Sequence, residues 1–164
     1  MRDYRYALTA VDRMGTAATV ADLAIPVGIV LNRRGDEFVL DLTGFIFVPD
    51  SPRLATDAAS EKENARLLAS LKACLDRMGQ YRLTIVGHAV NVSGTEAEEV
   101  SLATLSTARA ETVKAELKKL GYDVAEVSTA GKGGTQPIVP HTDTVNRWKN
   151  RRVEFIMTPK GTAE

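Results

Sequence analysis

The chain has 164 residues, 21 of them basic and 21 acidic, and 44% are hydrophobic; at this size roughly two thirds of the unfolded surface can be buried, so one globular domain needs no metal or disulfide staple. A formal charge of zero argues against indiscriminate binding to nucleic acid or anionic lipid, and the single cysteine, Cys74, excludes an internal disulfide. No apolar run approaches the roughly 20 residues of a membrane span, and Met1-Arg2-Asp3-Tyr4-Arg5 lacks a secretory hydrophobic region, so the chain as written is expected to be neither inserted nor visibly exported.

Residues 1–24 mix alanine, threonine and charge without a sustained period, and are expected to be an arm, linker or short helix outside a main domain of residues 25–160. From Ile25 the texture changes. Val27, Ile29 and Leu31 alternate, Asn32 to Asp36 supply turn chemistry, and Phe38, Leu40 and Leu42 alternate again, which predicts a β-hairpin. Phe45-Ile46-Phe47 then ends at Pro49-Asp50-Ser51-Pro52, a loop.

Ser60 with Glu63 has capping-box spacing, and Leu68, Leu71, Leu75 and Met78 share one helical face, predicting a helix over 57–78. Tyr81, Leu83 and Ile85 predict a strand closed by Gly87-His88. A polar link holding Glu96, Glu98 and Glu99 follows, then a helix over 102–120 with Leu105, Val113, Leu117 and Leu120 as its stripe. Short strands are predicted at 124–129 and 152–158, separated by a loop rich in glycine and proline. Alternating strands and helices argue for a two-layer α/β sandwich with both helices on one face of the sheet.

Arg109 stands four residues from Leu105 and four from Val113, inside the stripe that should face the core. Its stem can pack while its head reaches the edge or a carboxylate, or its fork can capture a ligand's carboxylate. His88 and His141 lack acidic residues at ligand spacing, so no metal site is expected, and His88 reads as structural. Ser106 lacks a nucleophile-elbow setting, and Gly131-Lys132-Gly133-Gly134-Thr135 lacks the P-loop spacing. The basic run Arg147, Lys149, Arg151 and Arg152 surrounds Trp148, which is expected to be a packing lid rather than a nucleic-acid contact.

Four stretches together resemble the OmpA-like domain family, cell-envelope modules that bind peptidoglycan in outer-membrane proteins, lipoproteins and flagellar stators. They are Phe47-Val48-Pro49-Asp50-Ser51 with Leu54; Leu83-Thr84-Ile85-Val86-Gly87-His88; Leu105-Ser106-Thr107-Ala108-Arg109-Ala110; and Asn150-Arg151-Arg152-Val153-Glu154. Gly131 to Pro137 resembles the family's Gly-x-Gly-x-x-x-Pro loop. The resemblance covers about residues 37–158 and implies a β-α-β-α-β sandwich with a mixed sheet, no catalysis and no cofactor. It also implies that an Asp after Gly-His-Thr and the Arg of Leu-Ser-x-x-Arg-Ala grip the zwitterionic end of a peptidoglycan stem residue.

This chain departs from that pattern. Gly87-His88 continues as Ala89-Val90-Asn91, so the carboxylate position has become Val90 while Arg109 survives, and the link to Leu105 is about four residues longer than the family's common form. The expected site therefore comprises Arg109, Asn91, Phe47, Asp50, Asn150 and Arg151, with Ala89 and Val90 as the changed positions. The expectation is a structural envelope module in the periplasm or cell envelope, with weak or lost binding to the peptidoglycan stem peptide. The alternatives are a working anchor in which Asn91 or a glutamate of the link replaces the carboxylate, and a module that docks other envelope proteins through residues 1–24. Arg109 is expected to pair with Glu96, Glu98, Glu99 or Asp50.

Overall fold

The structure, a computed structural model, describes residues 4–11, 17–25, 29–42 and 44–160. Its first two strands, β1 (Tyr4–Val11) and β2 (Ala17–Ile25), pair antiparallel as a two-stranded sheet of their own. This corrects the short-helix reading of the segment. Alanines at 7, 10, 17, 18, 21 and 24 dilute the alternation that would betray a strand, and the pairing partner lies several residues away.

The remaining strands form one five-stranded sheet in the order β3-β4-β7-β5-β6. The predicted hairpin is β3 (Ile29–Arg34) with β4 (Glu37–Leu42), and its turn is narrower than the composition suggests. Arg34 pairs with Glu37 across Gly35-Asp36, with Gly35 at φ 63°; a positive φ at the first of two loop residues is what glycine supplies without steric cost. The fifth strand, β5 (Tyr81–Gly87), runs parallel to β6 (Ser128–Gly131) and antiparallel to β7 (Val153–Pro159), which also pairs with β4. The sheet is thus mixed, as expected, and β6 begins four residues later than predicted, because Val124 and Val127 pack as a turn under the sheet's edge.

Helix α1 (Ala58–Leu75) buries Leu67, Leu68, Leu71, Cys74 and Leu75. Its cap is Asp57, whose carboxylate accepts from the Ser60 amide at 3.1 Å, not Ser60 itself. Glu63 is free to pair with Arg66 at 2.6 Å instead of reaching back to a cap. Helix α2 (Glu96–Lys119) buries Ser106, Ala110, Val113 and Leu117. Leu105 is only partly buried and Leu120, at 45% exposure, lies outside the core, so the true stripe is rotated toward small residues.

That rotation follows from how close α2 sits to the sheet. A Cβ on Gly87 would lie 2.1 Å from the Ser106 carbonyl oxygen, and one on Gly131 2.4 Å from the Ala103 carbonyl oxygen. Two glycines and a run of small side chains let helix and strand backbones approach. Phe38, Leu40, Leu83, Ile85, Val153, Phe155 and Met157 meet the stripes of both helices in one core, which places α1 and α2 on the same face. Alternation sends Val86, Arg152 and Glu154 to the other face.

Candidate functional site

A cavity of about 520 Å³ opens where β5 ends and β7 begins. Its walls come from Phe45 to Asp50, from the chain just after β5, from the first half of α2 and from the segment around Trp148 and Arg151.

Each wall is fixed by bonds that the sequence motifs do not advertise. Buried Asn64 on α1 accepts from the Ile46 amide and donates to the Ile46 carbonyl, both at 2.9 Å, and so anchors the Phe45–Phe47 strip as a strand partner would. Phe47 bridges to Leu54, closing the turn in which Asp50 takes φ 49°. After β5, the His88 amide donates to the Arg152 carbonyl at 3.0 Å and the Ala89 amide to the Gly133 carbonyl at 2.7 Å. Ala89 and Val90 are consequently held in the wall, 3% and 5% exposed.

Arg109 projects from the middle of α2. Its guanidinium carbon lies 4.9 Å from the centre of the Phe47 ring, and Nε donates to the Ser51 carbonyl at 3.1 Å. Among the described residues no carboxylate lies within ion-pair distance of it, and its terminal nitrogens make no hydrogen bond. The expected acidic partner is therefore replaced by a cation–π contact and a carbonyl. Burial and the charge of Arg151 push its pKa below the ordinary arginine value, with Asp50 opposing.

The acidic link proves to be helix. Thr95 caps α2, accepting from the Glu98 amide at 3.2 Å, and Glu96, Glu98 and Glu99 occupy the first turn, where negative charge suits the helix dipole. From this stretch Val92 and Glu98 reach the cavity wall. The Glu98 carboxylate accepts from the amides of Ser93 (2.6 Å) and Val92 (3.2 Å) and from the Ser93 hydroxyl, which together hold its pKa below the usual range. Glu99 turns to the glycine loop, accepting from the Gly134 amide at 2.7 Å and from Asn91 at 2.9 Å.

Of the expected site residues, Phe47, Asp50, Ala89, Val90, Arg109 and Arg151 converge on the cavity. Asn91 and Asn150 do not line it. The Asn91 amide donates to the Thr95 carbonyl and Glu99 and accepts from the Gly94 amide, tying the loop to the start of α2. Buried Asn150 accepts from the amides of Ile138 and Val139 and donates to the Val139 carbonyl, clasping the proline loop. Both asparagine side chains are engaged chiefly with backbone. Trp148 is not a buried lid: the residue is 51% exposed where it lines the cavity, beside Lys149.

Arg152 and His88 also line the cavity; Arg152 donates twice to one Glu154 oxygen, at 2.9 and 2.6 Å, and the other oxygen lies 3.6 Å from His88 Nε2. His88 is thus held in a buried charged cluster, and His141 contacts the Gly134 carbonyl at 2.8 Å. Among the described residues no group of three or more His, Cys, Asp or Glu side chains could hold a metal.

The sequence matches the OmpA family over residues 46–151, well over half the chain. It is 23% identical over 142 residues to an Escherichia coli K12 protein described as "Probable lipoprotein YiaD", a match that takes in 87% of this chain and 61% of that protein's length. Among solved structures, the cell wall anchor of the type VI secretion system (T6SS) from Pseudomonas aeruginosa superposes with a TM-score of 0.65 at 22% identity, covering 81% of this chain and 89% of the other. A MotB-like protein from Desulfovibrio vulgaris gives 0.65 at 25% identity, with 83% and 82% covered. The periplasmic domain of Helicobacter pylori MotB gives 0.65 at 20%, with 82% and 81% covered.

Proposed function

The chain belongs to the OmpA family, and from that premise we propose that it is a non-catalytic cell-envelope domain whose grip on peptidoglycan is weakened or lost. The observation that carries the reading is the pairing of Arg109 with an apolar wall. Its terminal nitrogens have no acidic partner among the described residues, while Ala89 and Val90 line the same cavity from the end of β5. A zwitterion needs a cation for its carboxylate and an acceptor for its ammonium, and only the first is present at these positions. Removing one partner of a close interfacial charge pair costs about 2–5 kcal/mol, a loss of about thirty-fold to several thousand-fold in affinity. Placement in the periplasm or envelope is supported by the similar structures, one a periplasmic domain and one a cell wall anchor.

Co-sedimentation with purified sacculi tests the reading. Little or no pelleting of the wild-type chain is expected, and clear saturable pelleting would overturn it. A second reading is favoured by Glu98, the carboxylate that α2 brings to the cavity wall: there it would stand in for the missing acid. In that case the chain pellets with sacculi and Glu98→Gln abolishes it.

A further inference from the structure

Zero net charge excludes an attraction spread over the whole surface, but it does not describe the face around the cavity mouth. After the proline loop the chain makes a single 3₁₀ turn, Arg147–Asn150, which buried Asn150 pins inward. Trp148 stands out of that turn, 51% exposed, with cations on either side of it in sequence. Arg147, Lys149 and Arg151 make no ion pair and no side-chain hydrogen bond among the described residues, and the Lys149 ammonium lies 5.8 Å from the centre of the Trp148 ring. Trp148 and Arg151, three residues apart and so on one side of a 3₁₀ turn, line the cavity together with Ile46 and Val92, which are 40% and 57% exposed. Exposed apolar groups gathered around one opening form a contact surface.

Two of the nearby carboxylates are turned to their own loops. Glu98 accepts from the amides of Val92 and Ser93, and Asp143 from the amides of Val145 and Asn146 and from the Asn146 side chain. Asp50 lines the cavity with no hydrogen bond or ion pair among the described residues, so its charge opposes an arriving anion. An extended peptide would find little on this rim to pair with. Asn64 takes the amide and carbonyl of Ile46, the Gly133 carbonyl takes the Ala89 amide, Glu98 takes the Val92 amide, and the Trp148 carbonyl takes the Arg151 amide. A lipid surface needs no backbone partner. It offers phosphates to ammonium and guanidinium groups, and a boundary zone that suits an indole and short aliphatic side chains.

We propose that this face docks on an anionic phospholipid surface. Lys149 and Arg151 meet the phosphates, Ile46, Val92 and Trp148 enter the boundary between headgroups and acyl chains, and Asp50 limits the affinity. The proposal stands apart from the weakened-grip reading: purified sacculi carry no phospholipid, so either test can fail without deciding the other.

Trp148 is the only tryptophan, so a blue shift of its emission reports entry into lipid directly. The experiment titrates the full chain with vesicles of equimolar phosphatidylglycerol and phosphatidylcholine, with vesicles of phosphatidylcholine alone, and with soluble polyglutamate. A saturable blue shift is expected with the anionic vesicles at about tenfold or more lower lipid concentration than with the neutral ones, the scale of two cations at a charged surface, and high salt should reverse it. Lys149→Gln and Arg151→Gln should each weaken the response about fivefold and Asp50→Asn should strengthen it, with thermal melts of all three variants matching the wild type. No shift with anionic vesicles, an equal shift with both vesicle types, or a response unchanged in the Lys149 and Arg151 variants would overturn the proposal. A shift with polyglutamate and none with vesicles would also overturn it, and would assign the face to an acidic protein.

Discussion

Burial alone would raise the Glu154 carboxyl, yet His88 at 3.6 Å and the two Arg152 hydrogen bonds hold it down at about 2, against an ordinary 4.5. Because the folded value is the lower one, this carboxylate stabilises the fold above the ordinary value, and the contribution drains away as pH falls from 4.5 toward 2. The shift corresponds to about 3 kcal/mol. Urea unfolding at pH 7 and pH 3 should show the wild type losing part of this margin, and Glu154→Gln should be destabilised at pH 7 while losing less on acidification. An unchanged pH dependence in the variant would show that the cluster does not titrate in this range. Arg109 belongs to the same scale. Its intrusion into an apolar stripe was legible as a side chain in need of a partner, but the partner was not. Phe47 and the Ser51 carbonyl lie 62 and 58 positions away, and nothing in the sequence ranks an aromatic face above the four candidate carboxylates.

Between elements, the close contact of α2 with the end of β5 determines the shape of the site. Gly87→Ala would drive a methyl group to 2.1 Å from the Ser106 carbonyl, a backbone atom that cannot rotate away. A destabilisation of about 1–3 kcal/mol is expected, read as a lower urea midpoint at unchanged m-value. A neutral result would mean that α2 stands off farther than described. The same contact explains what the sequence concealed. Periodicity located the helix by its large apolar residues, whereas the close approach is made by Ala103, Ser106 and Thr107 and allowed by glycine. The missed first turns carry few apolar side chains, and the one readable signal was the Thr95-x-x-Glu98 spacing. In α1 the apolar stripe was legible and the cap was not, since Asp57 and Ser60 each fit a capping pattern and only the geometry selects between them.

At the scale of the molecule, alternation of strands and helices was enough to anticipate two layers with both helices on one face, because each amphipathic stripe has only the sheet to pack on. The strand order was not readable from periodicity, as β7 pairs with β4 and β5 across long stretches of chain. Nor was the strand pair of residues 4–25, where local pattern is faint and pairing supplies the order. Strands β1 and β2 form a sheet separate from the five-stranded one. A chain lacking residues 1–24 is therefore expected to keep a single cooperative unfolding transition with the same far-UV signature per residue; loss of cooperativity would show that β1 and β2 are part of the folding unit.

We propose that Val90, in a cavity that still carries Arg109, is what weakens the grip on peptidoglycan. Titration calorimetry of a stem-peptide fragment ending in a free diamino acid into wild type, Val90→Asp and Val90→Asp with Arg109→Ala tests it most directly. A restored carboxylate can accept the ligand's ammonium while Arg109 holds its carboxylate. The account predicts a gain of about thirty-fold or more for Val90→Asp, abolished in the double variant. A single variant that binds no better than wild type, or a gain that survives the loss of Arg109, would contradict it.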